Sequence, residues 1–376
     1  MELKNVVISG GGTGGHIFPA LAIANEIKRR YPECTIHFVG AKGRMEEEKV
    51  PAAGYDIILL PVEGLSRGKN PFKMIVTLWK LLKSQKQIRQ ELKRIKPQIV
   101  IGVGGYASAP TLIEANRLRI PTLVQEQNSY AGKTNKLVGK KAESVCVAYR
   151  GMETFFPKAK RLLLTGNPVR KQLADTEAHT PEAYQHFQLD PNKKTLLVVG
   201  GSLGARTINR SVAEALPSIL ERQDEMQLLW QCGKSYIEDA TKSLQGFGGE
   251  GKNVFVTDFI RRMDYAYAVA DLVISRAGAS SISELCMLGK PSILVPSPNV
   301  AEDHQTKNAQ ALVDDNAALL IPDDDALHHL LPTALDMLYD DVQLSYLGQN
   351  ALKLGLPHAD ETIVNEIERI VKDNKQ

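Results

Sequence analysis

The sequence predicts an α/β protein made of two doubly wound halves. Three observations lead there. Short β-rich runs alternate with helical patterns from end to end, the signature of βα units with parallel strands. The alternation restarts after a Gly166-Asn167-Pro168 hinge. The 376 residues make up about two domains of ordinary size.

The elements follow in order. In the first half, the runs 6–9, 35–39, 57–60, 99–103, 122–125, 144–147 and 162–165 read as buried strands. Helical periodicity fills most gaps, as in 16–30 and 106–119. In the second half, 195–199, 227–230, 254–256, 272–275, 292–295 and 318–321 read as strands, and 205–221 as a helix. Near the terminus, Ile363, Ile367, Ile370 and Val371 recur at helical spacing. The expected domains are 1–165 and 166–340, with terminal helices in 341–376. Open α/β sheets bind ligands beyond the carboxyl ends of their strands, so a central cleft faced by both halves is the expected active site.

Composition narrows the class. With 43% apolar and 24% charged residues, the chain has the makings of globular cores. No apolar run approaches the ~18 residues of a membrane span. Met1 leads almost directly into the first strand; that leaves no room for a secretory signal and implies the cytosol. Cys34, Cys146, Cys232 and Cys286 form no CxxC pair and are expected as buried reduced thiols. The net charge of +3 hides an asymmetry. Residues 1–170 hold 28 Lys+Arg against 13 Asp+Glu, and the remainder 18 against 30. A basic first half points to an anionic partner: nucleic acid, a phosphorylated substrate or a lipid surface.

The first strand ends in Gly10-Gly11-Gly12-Thr13-Gly14-Gly15-His16. Glycines let backbone N–H groups approach a phosphate, and the following helix start adds a favourable dipole. Gly10, Gly12 and Gly15 fit a dinucleotide fingerprint, but the tip of the second strand, 38–41, lacks the acid that a nicotinamide or flavin site needs. A second loop, Gly102-Val103-Gly104-Gly105-Tyr106, suits a pyrophosphate; tight strand-to-helix turns are the alternative. The second half opens with Gly200-Gly201-Ser202-Leu203-Gly204-Ala205. This also spells the GxSxG of α/β-hydrolases, but no later histidine stands in a distinctive context. Ser202 is read instead as a donor toward a nucleotide phosphate. In 275–284, Ser280 and Ser281 offer hydroxyls, and Glu284 is placed to take ribose hydroxyls. The competing reading is a capping box, Ser281-x-x-Glu284. Gln305 and Asn308 begin a helix whose amides suit sugar hydroxyls, with capping by Asp303 as the plain alternative.

Together, GGTGGH, GVGGYAS, QEQN (125–128), TGNPVR (165–170), GGSLGA, the 276–284 loop and the 305–308 helix start closely resemble glycosyltransferase family 28, in its branch that adds N-acetylglucosamine to lipid I to make lipid II. The motifs span nearly the whole chain in one order. The resemblance implies the GT-B fold, with two Rossmann-like domains. Lipid I, which is polyprenyl-linked, would bind the first and UDP-N-acetylglucosamine mainly the second. The last helix would cross back to the first domain. It implies donor contacts at Thr13, Gly14, Gly15, Asn128, Arg170, Ser202, Ile260 (through its backbone) and Gln305. Ala279, Ser280 and Ser281 would hold the diphosphate, and Glu284 the ribose. The acceptor pyrophosphate falls to Gly14, Gly15, His16, Gly104, Gly105 and Tyr106. Two departures bear on side-chain roles: Ser280-Ser281 replaces a bulkier residue beside Thr, and His304 replaces a second Gln of some relatives.

The resemblance also implies inversion at the anomeric carbon, so a base must take the acceptor's proton. His16 is the first candidate. It begins a helix whose dipole disfavours imidazolium; phosphate binding or packing is its alternative. Glu126 is the second candidate, or else orients Asn128 or His16. Backbone N–H groups at 202–205 and 279–281 would stabilise the leaving UDP. No metal and no organic cofactor is expected, because the acidic runs 314–315, 323–325 and 340–341 fall at apparent helix ends. Residues 67–96 hold ten basic residues and one acid, Glu91. Phe72, Ile75, Trp79 and Leu82 recur among Lys73, Lys80 and Lys83 at helical spacing, as in a helix resting on anionic lipid. An ordinary solvated helix packing its stripe on the sheet is the alternative. Few aromatics are present to stack on bases, so nucleic acid is not expected. The expected location is the cytoplasmic face of the cell membrane, as a peripheral protein, with proteins of cell-wall synthesis as further partners. Two rivals remain: a UDP-sugar epimerase or macrolide-type transferase on the same fold, and a non-catalytic lipid-binding module.

Overall fold

The computed structural model describes residues 2–62, 71–170, 173, 176–201, 203–249 and 253–374; of 71–75, 78 and 301 it describes the backbone alone. The chain forms two compact units, 1–169 with 358–376, and 170–357. The expected first boundary at 165 thus moves four residues onward, past the Gly-Asn-Pro turn. The expected terminal segment 341–376 is divided between the units.

The first unit is a seven-stranded parallel sheet in the order β3-β2-β1-β4-β5-β6-β7. Its elements are β1 (Asn5–Ser9), α1 (Gly14–Arg30), β2 (Thr35–Ala41), α2 (Glu46–Ala52), β3 (Asp56–Leu60), α3 (Pro71–Ile95), β4 (Ile99–Gly102), α4 (Ser108–Arg117), β5 (Thr122–Glu126), α5 (Lys133–Val138), β6 (Ser144–Val147) and β7 (Leu162–Leu164). All seven expected strands are present. Alternate residues of β1 feed two apolar clusters: Val6 and Ile8 meet Ala20, Ile23 and Ile27 of α1, while Val7 meets Val39, Val100 and Leu112. Burial on both faces explains why these strands read as continuous apolar runs.

The second unit begins with α6 (Pro181–Phe187) and β8 (Lys194–Val199), then α7 (Arg206–Glu221), β9 (Met226–Gln231), α8 (Ile237–Gly246), β10 (Val254–Thr257) and α9 (Met263–Val269). It continues with β11 (Leu272–Ser275), α10 (Ala279–Met287), β12 (Ser292–Leu294), α11 (His304–Asp314), β13 (Leu319–Leu320), α12 (Ala326–Met337) and α13 (Asp341–Leu354). Its six-stranded parallel sheet runs β10-β9-β8-β11-β12-β13. In both sheets the first strand of the unit is central and the order reverses beside it, so the glycine loops after β1 and β8 stand at topological switch points.

The terminal helix α14 (Ala359–Asp373) belongs to the first unit. Its Ile363, Val364, Ile367, Ile370 and Val371 are buried in the cluster that holds Val6, Ile8 and Ile23. Polar ties fix its register. Arg30 donates to Asn365 Oδ1 (2.6 Å) and pairs with Glu368 (3.1 Å), and Glu366 accepts from Ser144 and Arg369. All four cysteines are buried and free, and burial pushes each thiol upward, Cys34 and Cys232 to about 11 and Cys286 to about 12.

Candidate functional site

In the first unit the two glycine loops meet backbone to backbone. A Cβ on Gly105 would lie 2.4 Å from the Gly11 carbonyl oxygen, and one on Gly10 would lie 2.1 Å from Val103 Cγ2. Gly104 and Gly105 also take φ of +96° and +88°, open to glycine without strain. Only glycine fits this junction.

Thr13 is the N-cap of α1, and no side chain caps the helix. The amides of Gly14 and Gly15 thus begin a helix at the rim of this junction, as an anion site requires. His16 is half-buried. Its Nδ1 lies 3.0 Å from the Gly11 carbonyl oxygen and 3.3 Å from Thr13 Oγ1. A carbonyl only accepts, so Nδ1 carries a proton, and in the neutral ring the lone pair falls on Nε2. Nε2 faces Gly104, where a Cβ would come within 2.8 Å. Tyr106 is exposed at the rim, with the Arg44 guanidinium 5.8 Å over its ring.

Glu126 ends β5, fully buried. Its Oε1 accepts from the Asn128 amide (3.0 Å) and side chain (3.2 Å), and its Oε2 from the Gly132 amide (3.0 Å) and Asn135 Nδ2 (2.9 Å). Four donors to this carboxylate fit the alternative in which it is an orienting group. It orients Asn128 and folds the 126–135 turn. The rest of the QEQN motif is likewise a brace. Gln127 donates to the Val103 carbonyl (2.8 Å), Gln125 to Asn167 Oδ1 (2.9 Å), and Asn167 to the Gln127 carbonyl (3.0 Å). This buried network ties the second glycine loop to Asn167 of the TGNPVR segment.

The second unit repeats the glycine device. Gly204 takes φ +79°, and a Cβ there would lie 2.2 Å from the Cys232 carbonyl oxygen; one on Gly233 would lie 2.4 Å from Gly204. Helix α7 starts just beyond, with Ala205 as its N-cap and no side chain capping it. Ser202 lies outside the described residues. Helix α10 begins after Gly278, again with no side-chain cap, so the amides of Ala279, Ser280 and Ser281 form its first turn. This overturns the capping-box reading of Ser281 and Glu284: the cap position is Gly278, and Glu284 sits further along the helix. The Glu284 carboxylate is buried and accepts from Tyr267 Oη at 3.0 Å, with Arg170 Nε 3.3 Å away. Burial raises its pKa, while Arg170 and Tyr267 draw it back down. Burial and the neighbouring Glu284 carboxylate push Tyr267 well above its ordinary range.

Helix α11 departs from expectation. Gln305 Oε1 accepts from the Ser297 amide at 2.8 Å, so its oxygen shapes the preceding loop and its amide nitrogen is the end left to meet a sugar. Asn308 is 0% exposed, with Nδ2 3.5 Å from the Ala277 carbonyl. Its hydrogen bond braces the 276–279 turn. Ile260 is buried just after β10. Asp303 does not cap α11 through its side chain, which instead accepts from Thr306 Oγ1.

All three acidic runs are engaged structurally. Asp340 caps α13 by accepting from the Gln343 amide at 2.9 Å, Asp314 accepts from Gln310 Nε2 at 2.8 Å, and Asp323 accepts from Arg276 and from Thr207 Oγ1. Among the described residues no three His, Cys, Asp or Glu side chains gather in a metal-binding group.

The basic helix α3 divides along its length. Its last turns bury Ile88, Leu92 and Ile95, the packing expected of a solvated helix on a sheet. Its earlier turns do the reverse: Trp79 is 59% and Leu82 57% exposed, and Lys83 Nζ lies 5.2 Å over the Trp79 ring. The side chains of Phe72, Lys73 and Ile75 lie outside the described residues.

Sequence reasoning missed Tyr267, Asn135 and Glu46. The Glu46 carboxylate is buried against the first glycine loop, accepting from the Gly12 amide at 2.7 Å and the Ala41 amide at 2.9 Å. Its one signal was an acidic run beginning a helix, which reads as ordinary dipole complementarity.

Residues 6–147 match the glycosyltransferase family 28 N-terminal domain, and residues 195–359 the glycosyltransferase family 28 C-terminal domain. A relative from Parabacteroides distasonis is 55% identical over 373 residues, covering 99% of both chains. It is named UDP-N-acetylglucosamine--N-acetylmuramyl-(pentapeptide) pyrophosphoryl-undecaprenol N-acetylglucosamine transferase. A Bacteroides fragilis relative of the same name is 52% identical over 373 residues, 99% of this chain and 97% of its own. The crystal structure of Acinetobacter baumannii MurG is similar with a TM-score of 0.78 at 28% identity, covering 97% of this chain and 99% of that one.

Proposed function

The chain belongs to glycosyltransferase family 28 and has its GT-B fold, and from that premise we propose that it moves N-acetylglucosamine from UDP-N-acetylglucosamine to the MurNAc 4-hydroxyl of lipid I, forming lipid II. This makes it a hexosyltransferase of peptidoglycan synthesis, and so of cell shape and division. The observation that carries the reading is the 55% identity, sustained over 99% of both chains, with a transferase named for that substrate pair.

An α-linked donor giving a β-1,4 product inverts at the anomeric carbon, so one in-line displacement suffices. The acceptor oxygen bonds to C1 as the bond from C1 to the UDP oxygen breaks, and the hydroxyl proton passes to a base. His16 is read as that base, because its Nδ1–H bond to the Gly11 carbonyl leaves the lone pair on Nε2. Charge developing on UDP is assigned to the uncapped first turn of α10 and to the loop before α7, where preorganised amides act without a metal. No organic cofactor takes part in this scheme. Glu284 is assigned the ribose, the Ile260 backbone the uracil, and Gly14 to His16 with Gly104 to Tyr106 the acceptor pyrophosphate.

Lipid I carries its sugar at a bilayer surface. We therefore place the protein at the cytoplasmic face of the cell membrane, peripherally bound to anionic lipid through the early turns of α3. The exposure of Trp79 and Leu82 beside Lys80 and Lys83 supports this. Among the described residues no helix is long and apolar enough to cross a membrane.

Radiolabelled UDP-N-acetylglucosamine, with and without lipid I, tests the function. Label should enter a lipid-extractable product only when lipid I is present. Conversion of the sugar nucleotide without lipid I would instead mark an epimerase, and no conversion in either case a binding module.

A further inference from the structure

Helix α2 begins with three acids, Glu46, Glu47 and Glu48. Glu47 and Glu48 point to solvent, whereas Glu46 is 1% exposed. Removing a carboxylate from water costs several kcal/mol unless polar partners replace the hydration. The partners here are two backbone amides at the ends of neighbouring strands, Gly12 after β1 and Ala41 of β2. The chain clears room for this side chain. A Cβ on Gly11 would lie 2.2 Å from Glu46 Cδ, and one on Gly40 would lie 2.5 Å from its Cγ. Two glycines are therefore committed to admitting one carboxylate.

The Gly12 N–H and the Gly11 C=O belong to the same peptide group. The amide donates to Glu46 Oε2 at 2.7 Å, and the carbonyl accepts from His16 Nδ1 at 3.0 Å. The order is thus carboxylate, peptide, imidazole, joined by two hydrogen bonds. Hydrogen bonds in such a chain polarise one another. A negative charge on the amide side makes the carbonyl a stronger acceptor, which holds the proton on Nδ1 and raises the basicity of Nε2. The arrangement does what a carboxylate does when bonded directly to a histidine, with one peptide group interposed.

We propose that Glu46 is a positioning residue that acts on His16 through the Gly11–Gly12 peptide, fixing its tautomer and raising its basicity for deprotonation of the acceptor hydroxyl. The proposal rests on the reading of His16 as the base. It also gives the Gly12 amide a role other than phosphate binding. The other titratable and charged groups around this loop are Arg44 ahead of α2, Tyr106 in the second glycine loop, and Glu126. Arg44 is stacked on Tyr106, and Glu126 is held by its four donors. Neither Arg44 nor Glu126 shares the Gly11–Gly12 peptide.

The full-length Glu46→Gln variant removes the charge and keeps the size. It should lower the pKa on the acidic limb of the kcat profile by about 0.5–1 pH unit and cut kcat at neutral pH roughly tenfold. Affinity for UDP alone should be unchanged. Glu46→Asp, which keeps the charge, should recover part of the pKa shift. Val50→Ala, a core truncation in the same helix, controls for lost stability and should leave the profile in place. The 15N shifts of the His16 ring give a readout independent of turnover: the wild type should hold the Nδ1–H tautomer, and Glu46→Gln should mix tautomers and titrate lower. An unmoved profile with an unmoved His16 titration in Glu46→Gln would overturn the proposal. Failure of the wild type to act on lipid I would instead sink the functional reading, while the ring shifts would still decide the coupling.

Discussion

Glu284 is a carboxylate that folding makes harder to ionise. Burial raises its pKa above 4.5 despite the opposing pull of Arg170 and Tyr267. Between the ordinary value and the raised one, the folded chain keeps a proton that the unfolded chain has released, so stability falls as pH rises through that window. Glu284→Gln abolishes this loss. Its melting temperature should gain on the wild type as pH is raised from about 4, and the gap should level off above the raised pKa; thermal melts across a pH series measure it. The same variant should bind UDP about tenfold more weakly by calorimetry, the scale of one lost charged hydrogen-bonding partner. Residues of this kind mark how far the sequence can be read. Gly10 to His16 is legible because strand, glycines and helix start lie next to one another. Tyr267 and Glu284 are 17 residues apart, and Gly12 and Glu46 are 34 apart; the first pair joins α9 to α10 on either side of β11, and the second joins the loop after β1 to α2 after β2, so each meets only in the folded sheet. Spacing also misleads, since Ser281 and Glu284 stand as a capping box would, yet the N-cap is Gly278.

Helix α3 shows one element serving two environments. Its C-terminal half buries Ile88, Leu92 and Ile95, while Trp79 and Leu82 earlier in the helix face outward. Periodicity alone registers both halves as a single amphipathic stripe, because spacing records which residues share a face and not what covers it. The strands were far more legible. Each is short and apolar, and the central ones such as β1, β4 and β8 are buried on both faces, so their centres are unmistakable, although their ends shift by a residue or two, as at β2, which runs on to Ala41. Exposed Trp and Leu beside lysines form an interfacial anchor with two separable terms. Reversing Lys73, Lys80 and Lys83 to Glu should weaken binding to anionic vesicles, each lysine contributing ~1 kcal/mol, with the loss largest at low salt. Trp79→Ala should weaken binding by a part that salt does not change. Co-sedimentation with vesicles at two ionic strengths separates the terms, and UDP binding should be unaffected in every variant. Unchanged co-sedimentation of the triple reversal would remove α3 as the anchor.

At the scale of the whole molecule, the two units differ in how the chain closes them. The second is one contiguous stretch, 170–357, and its core cluster runs from Leu196 to Leu347. The first depends on residues from the far end of the sequence. Five apolar residues of α14 lie in its core, and Glu366 of that helix accepts from Ser144 on β6 and pairs with Arg161 at 3.3 Å. Fully burying each such apolar side chain is worth about 1.5–3 kcal/mol, an upper figure because the unfolded chain already buries part of its surface. Five of them approach the entire ~5–15 kcal/mol that holds an ordinary domain folded. Ending the chain after Pro357 should therefore unfold the first unit while sparing the second. In circular dichroism the truncated chain should lose helix well beyond the 15 residues of α14, and transfer to lipid I should vanish. Calorimetry should still find a UDP site, because every residue assigned to the uridine and its diphosphate lies between Arg170 and Pro357. A truncated chain that kept native helix content and turnover would show α14 to be an accessory strap, with the first unit's stability residing in β1 to β7 and the helices between them.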